Sequence, residues 1–168
     1  ISIEPQALQE KNFVVFGMKA CDIQGVKVLD NVFLSDPIDT FYAARRDHGT
    51  IVALACHEPE ESCFCKVFGV DCADPEKSAA DVAVGRVGGG RWKPLTEKGE
   101  ALTKAVAELL NDADEAKVEE EKAAIRAIVE KLPYSNLSLE GWGQEDYMDR
   151  FNSPVWEELY KPCLACGT

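Results

Sequence analysis

The sequence predicts an α/β chain: a small sheet with a parallel βαβ-like unit and a β-hairpin, flanked by helices, with a C-terminal helical extension. Three observations predict it. Two apolar runs, Phe13-Val-Val-Phe-Gly17 and Ile51-Val-Ala-Leu-Ala-Cys56, are too short for buried helices and read as buried strands. The residues between them carry apolar side chains at helical spacing. Further along, Val82-Ala-Val84 and Arg91-Trp-Lys93 flank Val87-Gly-Gly-Gly90, the pattern of a hairpin.

Residues 1–11 are polar. After the first strand, Ile23, Val26, Leu29 and Phe33 recur at spacings of three and four, which predicts a helix over Asp22–Leu34 with Asp22 as its cap. Cys21 then stands beside a helix N-terminus, where backbone N–H groups favour a thiolate. Ser35-Asp36-Pro37 ends that helix. A second one runs over Ile38–His48 and is closed by Gly49. Strand, helices and strand favour a right-handed parallel crossover. Residues 73–80 read as a linker. The three glycines lack a following Gly-Lys-Ser/Thr, so they mark a turn rather than a phosphate loop. Thr96 caps a helix to Leu110 with the stripe Leu102, Val106, Leu109 and Leu110. A charged helix follows over Asp114–Leu132, with Val118, Ile125, Ile128 and Val129 on one side and Glu119-Glu-Glu121 on a solvated face. Residues 134–153 are aromatic and irregular, and Pro154–Tyr160 reads as a short helix begun by proline.

The net charge of −12, from 30 acids and 18 bases, argues against nucleic acid and anionic membrane surfaces as partners. It suits an acidic carrier that docks on a basic partner. No apolar run approaches the roughly 18 residues of a membrane span. A chain of 168 residues can bury about two thirds of its unfolded surface, so it needs no disulfide staples. It begins at Ile1 and ends at Cys166-Gly-Thr168, inside what reads as a motif, so it reads as a fragment. Seven cysteines, an odd number with a Cys-x-Cys spacing, fit a reducing cytosolic compartment and metal-bound thiolates better than a disulfide framework.

Three of those cysteines, Cys56, Cys63 and Cys65, fall within ten residues at the end of the second strand. Cys21 follows the first strand in an equivalent place. Two strand ends thus present four thiols, the donor set of a [4Fe–4S] cluster or of a tetrahedral zinc. Cys72 competes with Cys56 for the fourth position. Phe64, between two of the thiols, reads as a shield or a core residue, and Lys66 as a surface lysine. Arg45 and Arg46 read as neutralising a cluster's charge or docking a partner, or as plain ion-pair partners of Asp47 or Asp39. Tyr42 and Trp156 read as core, His57 as solvated, and His48 as a helix-end residue whose charge would suit the dipole. Cys163-Leu-Ala-Cys166-Gly is how a ferredoxin cluster run begins, though half a zinc knuckle or a redox dithiol shares that spacing. No Ser/His/Asp or Cys/His constellation supports hydrolysis.

The stretches Gly17-Met-Lys-Ala-Cys21-Asp22, Phe41-Tyr-Ala-Ala-Arg45-Arg46, Cys56–Gly69 with Ser62-Cys-Phe-Cys65, and Pro154-Val-Trp-Glu-Glu-Leu159 with Cys163-Leu-Ala-Cys166 occur in that order. Together they resemble the iron–sulfur β subunit of cytosolic sulfhydrogenases and the A subunit of anaerobic sulfite reductase. The resemblance implies a cytoplasmic, non-catalytic electron-transfer subunit of a hetero-oligomer. It would relay electrons between a flavin- and NAD(P)-binding subunit and a catalytic hydrogenase or reductase subunit. By motif, Cys21, Cys56, Cys63 and Cys65 would hold one [4Fe–4S] cluster, and Cys163 and Cys166 would be the first ligands of a dicluster ferredoxin domain. The chain then divides into a cluster-binding α/β domain (12–95), a helical hairpin (96–133), and a linker with the start of a truncated ferredoxin-like domain (134–168). A zinc-stabilised interaction module on the same cysteines is the reading from a different class.

Overall fold

The structure, a computed structural model, describes residues 6–85, 91–112, 114–141 and 147–162. The chain forms two compact units, residues 1–136 and 137–168. The first unit is built on a four-stranded sheet: β1 (Phe13–Met18), β2 (Gly49–Leu54), β3 (Val82–Gly85) and β4 (Arg91–Pro94), in that spatial order. β1 pairs with β2 and β2 with β3 in parallel, and β3 pairs with β4 antiparallel. This is the expected α/β arrangement of parallel unit plus antiparallel pair. The turn joining β3 to β4, with Gly88–Gly90, lies outside the described residues.

Side chains alternate across β2, so its residues feed two cores. Ile51 and Ala53 pack with Ile23 and Ala80, flanked by Met18 and Leu95. Val52 packs on the opposite face with Val82 and Val84, flanked by Leu54, Trp92 and Leu102. Val52 and Val82 are fully buried, each worth about 1.5–3 kcal/mol relative to exposure. Helix α1 (Ala20–Phe33) brings Ile23 to the first core. Helix α3 (Glu97–Ala105) brings Leu102 to the second and starts on Thr96, whose hydroxyl accepts from the Gly99 amide. Gly99 lets α3 approach the sheet: a Cβ there would lie 1.9 Å from the Asp81 carbonyl oxygen.

Helix α1 starts two residues earlier than the sequence predicts. Asp22 sits inside the first turn, and its carboxylate accepts from the Lys19 amide. Cys21 is therefore part of the helix rather than in front of it. Gly17, with φ at 91°, lies at the register shift between Phe16 and Met18 that ends regular pairing with β2. Helix α2 (Thr40–His48) is capped by Asp39, which accepts from Tyr42 N at 2.9 Å. Arg46 does not pair with Asp47 or Asp39, as the sequence suggested. It forks onto Asp30 of α1 at 2.8 and 2.9 Å, and the Tyr42 hydroxyl donates to the same carboxylate at 2.7 Å. Burial, helped by that hydrogen bond, pushes the phenol up to about 12. The Arg46 guanidinium holds the Asp30 carboxyl below its ordinary range. Tyr42 is thus a polar tie between two helices rather than an apolar core residue.

Helix α4 (Glu115–Val129) is capped by Asp114 and buries Val118 and Ile125. Residues 73–80 are no plain linker. Pro75–Lys77 forms a turn of 3-10 helix capped by Asp74, and Ala73, Asp74 and Pro75 are buried. In the second unit, α5 (Tyr147–Phe151) and α6 (Trp156–Leu159) are short. Trp156 donates from Nε1 to the Arg150 carbonyl at 2.6 Å but is about half exposed, so it is not the core residue that its type suggested. Among the described residues no helix is long and apolar enough to cross a membrane.

Candidate metal centre

The ends of β1 and β2 lie side by side because the two strands are parallel neighbours. Cys21 leaves the β1 end in the first turn of α1, and Cys56 follows β2 by two residues. The loop after Cys56 folds back through Cys63, whose amide donates to the Glu60 carbonyl at 2.9 Å. The Glu60 amide in turn donates to the Cys63 sulfur at 3.3 Å. Cys65 opens a 3-10 turn to Phe68, which Gly69 closes with a left-handed φ of 67°. Val70 N then bonds the Cys65 carbonyl at 2.9 Å, and Cys56 N bonds the Cys72 carbonyl at 2.9 Å. Those two bonds return the chain to the end of β2.

The thiols interact electrostatically. Burial pushes the Cys65 thiol up to about 11, with Cys21, Cys63 and Cys56 adding to the rise. Burial likewise raises Cys21, followed by the charges of Asp22 and Cys56. Cys56 moves the other way, to about 6. Its sulfur is favoured as a thiolate chiefly by a hydrogen bond from Cys72, and also by the Lys19 ammonium, against the cost of burial. Cys72 is raised by the same hydrogen bond and by burial. Cys65 thus feels Cys21, Cys56 and Cys63, Cys21 feels Cys56, and Cys72 and Cys56 act on each other. Among the described residues no three His, Cys, Asp or Glu side chains are gathered closely enough to hold a single metal ion.

An iron–sulfur cube takes one thiolate at each of four irons, so its ligands surround a cluster instead of meeting at one ion. Four thiols presented at two adjacent strand ends fit that group in number and chemistry. Mutual repulsion is what a cationic metal core would relieve. Cys56, Cys63, Cys65 and Cys72 line a cavity with Phe64 and with Val129 of α4. Cys163 and Cys166 lie outside the described residues.

An ionic frame closes the site, and sequence reading missed it. Lys122 Nζ is 3.3 Å from Asp74 and 3.5 Å from Glu76. Arg126 reaches Asp71 at 2.8 Å. Lys66 pairs with Glu130, and Arg91 and Lys93 pair with Glu76. Burial alone would raise the Glu76 carboxyl, but the hydrogen bond from Lys93 and the charges of Arg91 and Lys122 hold it down to about 2. The frame clamps α4 onto the segment that carries Cys65 and Cys72. The available signal was the four-residue spacing of Lys122 and Arg126 opposite the acids Asp71, Asp74 and Glu76.

Phe64 is not the core residue of one reading: it is about half exposed, lines the thiol cavity and packs edge-on against the exposed Phe68, with centroids 5.7 Å apart. His57 is exposed and lies 3.8 Å from Glu121, while His48 meets Asn12 at 2.9 Å.

The chain is 34% identical over 159 residues to Sulfhydrogenase 2 subunit beta of Pyrococcus furiosus. The match covers 92% of this chain and 45% of that protein, so the chain spans a little under half the length of the curated relative it matches. No protein-family model matches the chain, and no solved structure matches it. Over the stretch it shares with that relative, the chain is similar to a sulfhydrogenase β subunit.

Proposed function

We propose that the chain is an electron-transfer subunit, or part of one, with one [4Fe–4S] cluster on Cys21, Cys56, Cys63 and Cys65. The single observation that carries this reading is that Cys21 and Cys56 follow the adjacent ends of two parallel strands, with Cys63 and Cys65 on the loop after Cys56. When bound, such a cluster accepts and releases one electron, and four protein thiolates leave no iron open for substrate. The chain's own residues hold and tune the site. The Glu60 amide bonds the Cys63 sulfur, Lys19 supplies a positive charge near Cys56, and the ion pairs of α4 hold the loop in place.

In this reading the partners are a flavin- and NAD(P)-binding subunit and a catalytic subunit of a hydrogenase, sulfur reductase or sulfite reductase in the cytoplasm. The name of the relative supports a place in such a complex. Cys163 and Cys166 would begin a further cluster site. Anaerobic purification followed by iron, acid-labile sulfide and zinc analysis, with an EPR spectrum after reduction, tests the proposal. About four irons and a rhombic signal are expected for one all-cysteine cluster. About one zinc and no iron would replace it with a structural module.

A further inference from the structure

The thiol loop leaves two aromatic rings in solvent. Phe64 and Phe68 are both more than half exposed, and they bracket Cys65 on one 3-10 turn. Their rings meet edge-on, so they form one small patch rather than two scattered side chains. Phe64 also lines the cavity of Cys56, Cys63, Cys65 and Cys72, which places the patch one side chain away from the thiols. A hollow of about 220 Å³ continues from the turn at Lys66 and Gly69, over Val70 and Val129. The uncompensated charge of the loop is negative. Lys66 is paired with Glu130, and Arg126 with Asp71. Glu58, Glu60 and Glu61 are exposed and form no ion pair among the described residues.

We infer that the Phe64–Phe68 face is the docking surface through which the chain exchanges its electron, and that it fits a protein presenting an apolar spot ringed by lysine and arginine. The inference rests on the proposed [4Fe–4S] site. Redox partners meet over small areas and part again, so a two-ring patch with a charged rim suits such an encounter. The acids of the rim attract a basic surface and orient it. The rings exclude water from the contact beside the thiols. One electron passes from the reduced protein to the acceptor of its partner, and no bond forms or breaks.

The test uses ferric cytochrome c as probe, a small basic haem protein that accepts one electron. Calorimetry reads its binding to the oxidised protein, where no electron moves, and stopped flow reads its reduction by the reduced protein. Iron per chain is measured for every variant. Two variants of equal net charge are compared, Glu58→Gln/Glu61→Gln on the thiol loop and Glu97→Gln/Glu100→Gln on α3. Helix α3 starts beside Asp81 and Gly49, at the opposite end of the strands from the thiols. At an ionic strength of about 0.1 M, a Debye length of about 10 Å limits the effect to nearby charges. The loop variant is expected to bind about fivefold more weakly and to reduce the probe more slowly, with the α3 variant within about twofold of wild type. Phe68→Ala is expected to weaken binding about tenfold. Equal effects in the two charge variants overturn the inference, and they decide it alone if Phe68→Ala loses iron. Wild-type binding by an iron-loaded Phe68→Ala also overturns it. So does a dimer of the wild-type chain in sedimentation that Phe68→Ala dissolves, because a second copy would then cover the face. Each of these leaves the iron content and the proposed function standing, whereas a wild-type protein without iron removes both.

Discussion

β1 and β2 are parallel neighbours with similar apolar content, yet they live in opposite surroundings. Ile51, Val52 and Ala53 of β2 are at most 5% exposed. Phe13, Val14, Val15 and Phe16 of β1 are all exposed, Phe16 to 66%. The difference comes from position. β2 has a strand on each side and a core on each face, whereas β1, among the described residues, is an edge strand paired with β2 alone. Helix α1 continues the pattern, with Val28 and Val32 more than half exposed. Apolar sequence shows that a strand forms; burial depends on what is stacked against it. The candidate metal centre straddles both environments, since Cys21 comes from the open β1 side and Cys56, Cys63 and Cys65 follow β2.

That contrast can be broken at its packed end. Gly99→Ala puts a methyl group 1.9 Å from the Asp81 carbonyl, so α3 has to lift from the sheet. The expected loss is about 3 kcal/mol or more, seen as a lowered denaturant midpoint. Val52→Ala, at a site with no exposure, is expected to cost about 2 kcal/mol by the same measurement. The clamp responds to acid. The Glu76 carboxyl, held down to about 2 from an ordinary 4.5, contributes stability that is fully present above the ordinary value. That contribution is lost as pH falls through the window down to about 2. Circular dichroism during acid titration should show Glu76→Gln losing less stability across that window than the wild type. The smallest effect belongs to β1: Val14→Thr, on the exposed strand, should change stability by no more than about 0.5 kcal/mol. A change as large as that of Val52→Ala would erase the distinction between the two strands.

Much of this was legible in the sequence. Short apolar runs bounded by turns located β1 and β2, and Thr96 and Asp114 marked helix starts where the structure places caps. The side-by-side placing of the two strand ends that Cys21 and Cys56 follow was legible from the two apolar runs and the expected parallel crossover. What could not be read depends on contacts between distant segments. Asp30 accepts from Arg46 and Tyr42 across a loop, outcompeting the nearer Asp39 and Asp47. Asp74 and Glu76 fell in a stretch that read as a linker, and only α4 brings Lys122 and Arg126 to them and to Asp71. The burial of Cys72 against Ile125 likewise depends on where α4 comes to rest.

The most direct test of the central claim is the iron content and reduced EPR spectrum of Cys21→Ser beside Cys65→Ser, both purified anaerobically with the wild type. One shared cluster requires that Cys21, from the open side, and Cys65, from the clamped side, matter alike. Each variant should lose the wild-type rhombic signal, with iron falling below about four per chain. An unaltered signal and full iron in Cys21→Ser would contradict the account, because the end of β1 would then contribute nothing to the site.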